Sequence, residues 1–416
     1  MTGPEAERYL LSLELFGMRF GLDRMRRLMT ALGHPERQFR SIHVVGTNGK
    51  SSTVRMIAAI LAHHGLRTGA YLSPHLVSFG ERIRIDDRDL EPEGFGAAVA
   101  RAARAAALVD RSLHEDDRVT QFEALTAAAY SELAARGVQV AVIEAGLGGR
   151  YDATNVIPST VQVLTSVGLE HTRWLGPTLR DIATEKLDVV QPDATLVLGA
   201  DLAPEVIEVA ERVCRERGAR IVNAGTDPGV QVGAPGAYQR RNFALARAAA
   251  ETFCAELSLE AVAAAAADVR VPGRLQRIDS APLTLVDGAH NADGMRALAE
   301  ALPELTGGRG PVIATLSILD DKDAAAMLAA LWSGGVRIDA LVLTSSQNPR
   351  ALPPPTLLSL ARQLHGPPGE VVPDPLRALQ RARELAGPDG VVIAAGSLYL
   401  IADLLASGPR ACASIL

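Results

Sequence analysis

The stretch HVVGTNGKSS, residues 43–52, decides how the chain is read. The run SIHVVG (41–46) has the β-branched, apolar character of a strand. It ends at Gly46, and small polar residues, Gly49-Lys50 and three hydroxyl side chains then open an apolar-rich helix. Strand, glycine turn and helix start, in that order, are what a phosphate site requires. Glycines let backbone N–H groups approach an anion, the helix N-terminus adds its dipole, Lys50 brings charge to the outer phosphates, and a serine hydroxyl can reach Mg²⁺. The commonest phosphate loop reads G-x-x-x-x-G-K-[ST], and Val44 stands where its first glycine belongs. A glycine turn ahead of a helix with a solvated lysine is the plainer reading; the flanking strand and helix favour phosphate binding over it.

Outward from this loop, short β-rich runs alternate with helical periodicity along nearly the whole chain. That is the pattern of a parallel sheet covered by helices, so the fold class is α/β. Strands are expected at 41–46, 69–72, 138–144, 160–166 and 194–199, with helices at 51–64, 120–136, 178–190 and 204–217. The segment 222–239 is rich in Gly and Pro and reads as a loop ahead of a helix at 240–256. AVAAAAADV (261–269) is low in complexity, but alanine is the best helix former and an ordinary helix is expected there. VRVPGRLQRI (269–278) marks a domain boundary, because a new strand and helix series begins directly after it, with strands at 283–288, 310–316, 339–345 and 390–396. The expected division is residues 1–271, with a parallel-rich sheet, and a smaller Rossmann-like unit at 272–416.

At 416 residues and 48% hydrophobic, the chain can bury enough core for two or three domains. A net charge of −6 supplies no global basic field to recruit nucleic acid or an anionic membrane, so small-molecule partners are expected. Cys214, Cys254 and Cys412 are odd in number and lack C-x-x-C spacing, which disfavours a disulfide framework or zinc knuckle and fits a reducing cytoplasm. The N-terminal stretch 1–24 reads as an amphipathic helix rather than a secretory signal, and no apolar run approaches the ~20 residues of a membrane helix.

Four further constellations carry polar residues to strand ends. VIEAGLGGRYDATN (142–155) leaves a strand at Glu144 and packs glycines, Arg150 and Asp152 into a loop. A carboxylate at the C-terminal edge of a strand, near the phosphate loop of the same sheet, is where an α/β enzyme puts a magnesium ligand, although such glycine-rich loops are also ordinary. TSVGLEHTRWLG (165–176) repeats the arrangement with Glu170 and His171. LRDIATEKLDVVQ (179–191) is helical, and by spacing alone its Lys186 is a surface lysine. VDGAHNADG (286–294) delivers Asp287, His290 and Asn291 to the mouth of the second sheet, which suits substrate or nucleotide contact or, equally, a polar helix cap.

Taken together and in order, GTNGKSS (46–52), SPHLVSFGERIRI (73–85), FEALTAAAY (122–130), EAGLGGRYDATNV (144–156), GLEHTRWLG (168–176), EK (185–186), PGRLQ (272–276), DGAHN (287–291), LDDKD (319–323) and GSLYL (396–400) resemble the folylpolyglutamate synthase and dihydrofolate synthase family. That family is a branch of the Mur ligase superfamily, whose phosphate loop is spelled G-T-x-G-K. The resemblance implies an N-terminal P-loop-type ATPase domain and a C-terminal Rossmann-like glutamate ligase domain, with the active site in the cleft between them. It implies ATP-dependent addition of L-glutamate to dihydropteroate, reduced folates or both through an acyl phosphate, with ATP and Mg²⁺ as cofactors and a cytoplasmic monomer as the working form.

Residue by residue, the resemblance implies that Thr47, Asn48, Gly49, Lys50, Ser51 and Ser52 cradle the phosphates, and that Ser73, Glu144 and His171 hold Mg²⁺. Lys186 would react with CO₂ to give a carbamate that holds a second Mg²⁺, which displaces the surface-lysine reading. Asn242, Arg274 and Asp287 match nucleotide contacts. His290 and Ser397 match positions at the glutamate or reacting carboxylate, and Phe122, Glu123, Tyr151 and Asp152 match the pterin site. The chain departs from the family at Ser51, where glycine is usual, and at LDVVQ (187–191), where Asp188 adds a charge close to Lys186. The alternatives are a folylpolyglutamate synthase of single activity, a Mur-type amide ligase for another acid, a different nucleotide enzyme such as a kinase, and a nucleotide-binding module without catalysis. The last would be expected to have lost Lys50, Glu144, His171 or Lys186, and all four are present.

Overall fold

Val44 and Glu144 stand side by side on neighbouring parallel strands, and the rest of the first sheet is arranged around that pair. A computed structural model describes residues 1–13, 21–114 and 117–406 of the chain. Among these, β1 (Arg40–Val45), β2 (Thr68–Tyr71), β3 (Ile83–Ile85), β4 (Arg88–Asp89), β5 (Val140–Glu144), β6 (Val161–Leu164), β7 (Thr195–Leu198) and β8 (Arg220–Asn223) form one sheet. Its order is β4-β3-β2-β5-β1-β6-β7-β8, with only the β2–β3 and β3–β4 pairings antiparallel. β5, β6 and β7 are buried along their whole length, as uninterrupted apolar runs in a doubly covered parallel sheet should be. The chain leaves β1 towards β2 on one side while β6 flanks it on the other, so the loop after β1 lies at a topological switch point, where open α/β sheets place ligands.

A second sheet contains β9 (Gln276–Ser280), β10 (Leu283–Val286), β11 (Val312–Leu316), β12 (Ala340–Leu343), β13 (Gly369–Val371) and β14 (Val391–Ala395), in the order β13-β12-β11-β14-β10-β9. Only β9 runs antiparallel to its neighbour. Each sheet has its own apolar core. The chain divides into two compact units, Met1–Gly233 with Arg241–Val269, and Ala234–Arg240 with the described residues of 270–413.

Several local expectations need correction. The N-terminal helix runs only over Gly3–Ser12, because Leu13 is extended (φ −80°, ψ 154°), and a separate helix spans Asp23–Ala31. The part of the expected helix at 14–20 lies outside the described residues, as does Cys412. The segment read as an irregular loop from 222 begins with the end of β8 and gives way to the helix Ala237–Cys254, so its irregular part is shorter than expected. The alanine-rich run forms the helix Leu259–Asp268, capped by the Ser258 hydroxyl.

Helix Gln121–Ala135 starts at a capping box in which Thr120 and Glu123 satisfy each other's backbone donors. Arg24, 7% exposed, donates Nε to both Glu123 oxygens (3.1 and 3.0 Å) and Nη1 to Asp117 (2.9 Å). Removing one partner of such a pair leaves the other charge buried, so Arg24→Ala is expected to lower unfolding stability by about 3–5 kcal/mol. A urea titration reads this as a fall in midpoint at an unchanged slope.

Candidate active site

Gly46 leaves β1 at φ +153°, and a Cβ there would lie 1.9 Å from the Thr165 hydroxyl, so no other residue fits. The loop is tied to the segment after β6. Thr47 N–H donates to Ser166 O (2.8 Å), Asn48 N–H to Ser166 Oγ (2.9 Å), the Thr165 hydroxyl to Asn48 O (2.6 Å), and Gly168 N–H to Thr47 Oγ1 (3.0 Å). Gly49, at φ +84°, caps helix Lys50–His63 without a side chain, and a Cβ there would meet Asn242 Oδ1 at 2.7 Å. The loop, the helix start and Asn242 therefore lie together. Lys50 is half-buried and folds back on its own loop, donating Nζ to Gly46 O (3.0 Å) and Thr47 O (3.2 Å).

Glu144 ends β5 beside Val44, 1% exposed. Its Oε1 accepts the Ser51 hydroxyl (2.9 Å) and its Oε2 the Ser73 N–H (3.2 Å). Ser51, the departure from the family spelling, is thus the loop serine that touches this carboxylate, while Ser52 is buried. Among the described residues no three His, Cys, Asp or Glu gather into a metal cage. A carboxylate with two serines beside a phosphate loop instead fits Mg²⁺, which takes one or two protein carboxylates and completes its shell with phosphate and water. His171, in the left-handed region at φ 53°, lies 3.9 Å from Glu170, whose charge acts on Lys186.

Lys186 is 4% exposed and donates Nζ to Gly46 O (3.0 Å), so it is no surface lysine. Gly46 O receives both lysines of the site, a role that sequence reading did not assign to it. Burial, reinforced by the charge of Lys50 and opposed by Glu170 and Asp152, lowers the Lys186 ammonium to about 7. The charge of Asp188 is balanced by neighbouring guanidinium groups: it pairs with Arg217 (2.6 Å) and lies 3.5 Å from Arg150.

The four residues matched to the pterin site differ in their surroundings. Phe122 and Asp152 converge on Gly146, where a Cβ would lie 2.7 Å from the Phe122 ring and 3.2 Å from Asp152 Oδ2. Glu123 is engaged by Arg24 and Thr120, and Tyr151 is 46% exposed with its ring 6.0 Å from the Arg150 guanidinium.

In the second unit, Asp287 follows β10 and is 3% exposed. Oδ1 accepts Ala289 N–H, and Oδ2 accepts the Tyr238 hydroxyl and Leu275 N–H, all at 2.8 Å. Asp287 thereby holds the turn that carries Arg274. Tyr238, lying inside a stretch read as loop, gave no signal of this. Gly288 fits between Arg274 Nη1 and Leu398, which a Cβ would approach to 3.2 and 2.3 Å. His290 donates Nδ1–H to Gly288 O (2.8 Å), leaving Nε2 as the unprotonated nitrogen in the neutral ring. Ser397, 1% exposed, caps helix Leu398–Leu405 directly after β14, the parallel neighbour of β10. Arg274, Asp287, His290 and Ser397 therefore share one end of the second sheet.

Within the first unit, a lysine-bearing phosphate loop lies beside a buried strand-end carboxylate, the arrangement of a nucleotide-dependent enzyme. Residues 273–398 match the model of the Mur ligase, glutamate ligase domain. The chain is 36% identical over 386 residues to the dihydrofolate synthase/folylpolyglutamate synthase of Mycobacterium tuberculosis, covering 83% of this chain and 78% of that protein. It is 31% identical to the Bacillus subtilis enzyme of the same name, over 94% of this chain and 95% of that one. Among solved structures, Mycobacterium tuberculosis folylpolyglutamate synthase complexed with ADP superposes at a TM-score of 0.89, with 32% identity over 98% of this chain and 99% of that chain. E. coli FolC in complex with DHPP and ADP follows at 0.86, with 28% identity over 97% of both chains. The chain belongs to the dihydrofolate synthase/folylpolyglutamate synthase family.

Proposed function

We propose that the chain is an ATP-dependent ligase that joins L-glutamate to folates, and that it acts on both dihydropteroate and reduced folates. The observation that carries this reading is the placement of Lys50, Ser51 and Glu144 around one loop, in a chain whose relatives carry both synthase names. A carboxylate is a poor electrophile with a poor leaving group, and phosphorylation corrects both defects. The carboxylate oxygen attacks the γ-phosphorus and the bond to ADP breaks. The glutamate amine, after losing a proton, then adds to the acyl carbon, and phosphate departs with the C–O electron pair.

The residues divide this work. N–H groups of Thr47 to Ser52 and the start of helix Lys50–His63 bind phosphate, and Lys50 turns from Gly46 O and Thr47 O to the outer phosphates. Glu144, Ser73, His171 and a carbamylated Lys186 would hold Mg²⁺, which when bound neutralises charge on the transferring phosphoryl group. Asn242, Arg274 and Asp287 serve the nucleotide, Asp287 by setting the turn of Arg274. His290 Nε2 can accept a hydrogen bond from the glutamate amine, and Ser397 orients a carboxylate at the adjacent strand end. Phe122 stacks on the pterin beside Asp152, Tyr151 lies at the rim, and Glu123 supports Phe122 through the helix start.

No helix among the described residues is long and apolar enough to cross a membrane. The acidic net charge and the unpaired spacing of the cysteines support work in the cytoplasm on small molecules, without nucleic acid. Purified protein with ATP, Mg²⁺ and L-glutamate is expected to release phosphate and form an amide product with dihydropteroate and, in a separate reaction, with tetrahydrofolate. Turnover of tetrahydrofolate alone would leave a dedicated folylpolyglutamate synthase, and turnover of neither would refute the folate reading.

A further inference from the structure

Asp152 is held from a distance as well as by its own loop. Its Oδ1 accepts both the Thr154 hydroxyl and the Thr154 N–H (3.0 Å), and its Oδ2 accepts Leu147 N–H (2.8 Å). The same Thr154 hydroxyl lies 2.8 Å from Nε2 of His43, in the middle of β1. His43 and Thr154 are wholly buried and Asp152 is 6% exposed. The Tyr130 hydroxyl also donates to Thr154 O (3.0 Å), fixing the threonine from the other side.

The direction of this chain of bonds follows from its protons. A threonine hydroxyl has one proton, and the carboxylate can only accept it, so the hydroxyl oxygen must accept from His43. Nε2 of His43 therefore carries hydrogen and Nδ1 is bare. Nδ1 is the His43 atom buried without a hydrogen-bond partner, so in this tautomer the ring leaves no N–H unsatisfied. Burial lowers the His43 pKa to about 4, so the ring is neutral through the physiological range. A buried polar atom left unpaired is costly, and an apolar side chain would fill the same place in β1 without that cost.

We infer that His43 and Thr154 are positioning residues for substrate, a one-way relay from His43 through Thr154 that fixes the Asp152 carboxylate beside Phe122 to receive the pterin ring. The relay rests on the proposed reading that Asp152 contacts that ring. It also places the phosphate-loop strand and the pterin pocket in a single hydrogen-bonded system.

The test compares Thr154→Val, Thr154→Ser, His43→Leu and His43→Gln with Asp152→Asn, measuring dihydropteroate binding by fluorescence, KM and kcat for each substrate, and the thermal midpoint. Loss of the hydrogen bond to the charged carboxylate predicts that Thr154→Val raises the dihydropteroate Kd and KM about tenfold, and loss of the neutral bond that orients Thr154 predicts a smaller rise, about threefold, for His43→Leu, both with the KM for ATP unchanged. Thr154→Ser and His43→Gln, which keep a donor in place, should restore most of the affinity. His43→Leu should add little in the Thr154→Val background, because the two act through one path. If Asp152→Asn weakens binding and Thr154→Val does not, the relay is refuted while the pocket stands. If Asp152→Asn itself leaves binding unchanged, the pocket reading falls and the relay with it. Should His43→Leu fail to fold, the nearly isosteric Thr154→Val carries the test; collapse of both, or equal losses for ATP and dihydropteroate, would mark a purely structural network and overturn the inference.

Discussion

Lys50→Ala is expected to lower ATP turnover by about two to three orders of magnitude, the scale seen when one preorganised donor to a reacting group is lost. Lys50 is only half-buried. It rests on Gly46 O and Thr47 O, two carbonyls at the mouth of the site, so the chemistry should suffer more than the fold. The loss of two half-buried hydrogen bonds, each worth about 0.5–1.5 kcal/mol, should cost about 1–3 kcal/mol of stability. Steady-state phosphate release and a urea titration on the same preparation separate the two effects. Near wild-type turnover would remove this loop from the reaction.

The second large effect is expected at Lys186. Carbamate formation needs a neutral amine, which attacks CO₂ and loses a proton. With its pKa lowered to about 7 by burial, and by Lys50 next, Lys186 is mostly neutral above neutrality, whereas an ordinary exposed lysine is not. A carbamate keeps one N–H, so the bond to Gly46 O can survive the modification. Activity should therefore fall as pH drops below about 7 and recover with added bicarbonate. Lys186→Ala should lose about a hundredfold or more in rate and regain part of it with small carboxylates such as acetate. Isotope-labelled bicarbonate should give a carbamate signal in the wild type that the variant lacks. An unmodified lysine in fully active protein would count against this reading.

The strands that sequence made legible are the interior ones. β5, β6 and β7 are buried on both faces, so their residues are apolar without interruption and stand out from the helices around them. β3 and β4 escaped because they are three- and two-residue strands at an edge, carrying Arg84, Arg88 and Asp89, and β9 escaped because it is half-exposed and contains Arg277 and Asp279. The same division runs through the site. The phosphate loop was legible because its strand, glycines and helix start are consecutive. The burial of Lys186 was not, because it depends on Gly46, 140 positions earlier, and helical spacing does not report so distant a partner. Glu123 shows the opposite difficulty: its motif resembles a substrate-binding segment, whereas its carboxylate is occupied by Arg24, from a helix nearly a hundred residues away.

Gly149 lies where the glycine-rich loop presses on the helix carrying Lys186. A Cβ there would come within 2.5 Å of Lys186 O and 2.7 Å of Glu185 O, and the next residue, Arg150, donates its N–H to Glu185 O at 3.0 Å. Backbone meets backbone at this seam, so no rotamer change can relieve a clash. Libraries that aim to broaden the acids this scaffold accepts can randomise the exposed Tyr151, but should leave Gly149 fixed, because a side chain added there would displace the helix that holds the reactive amine.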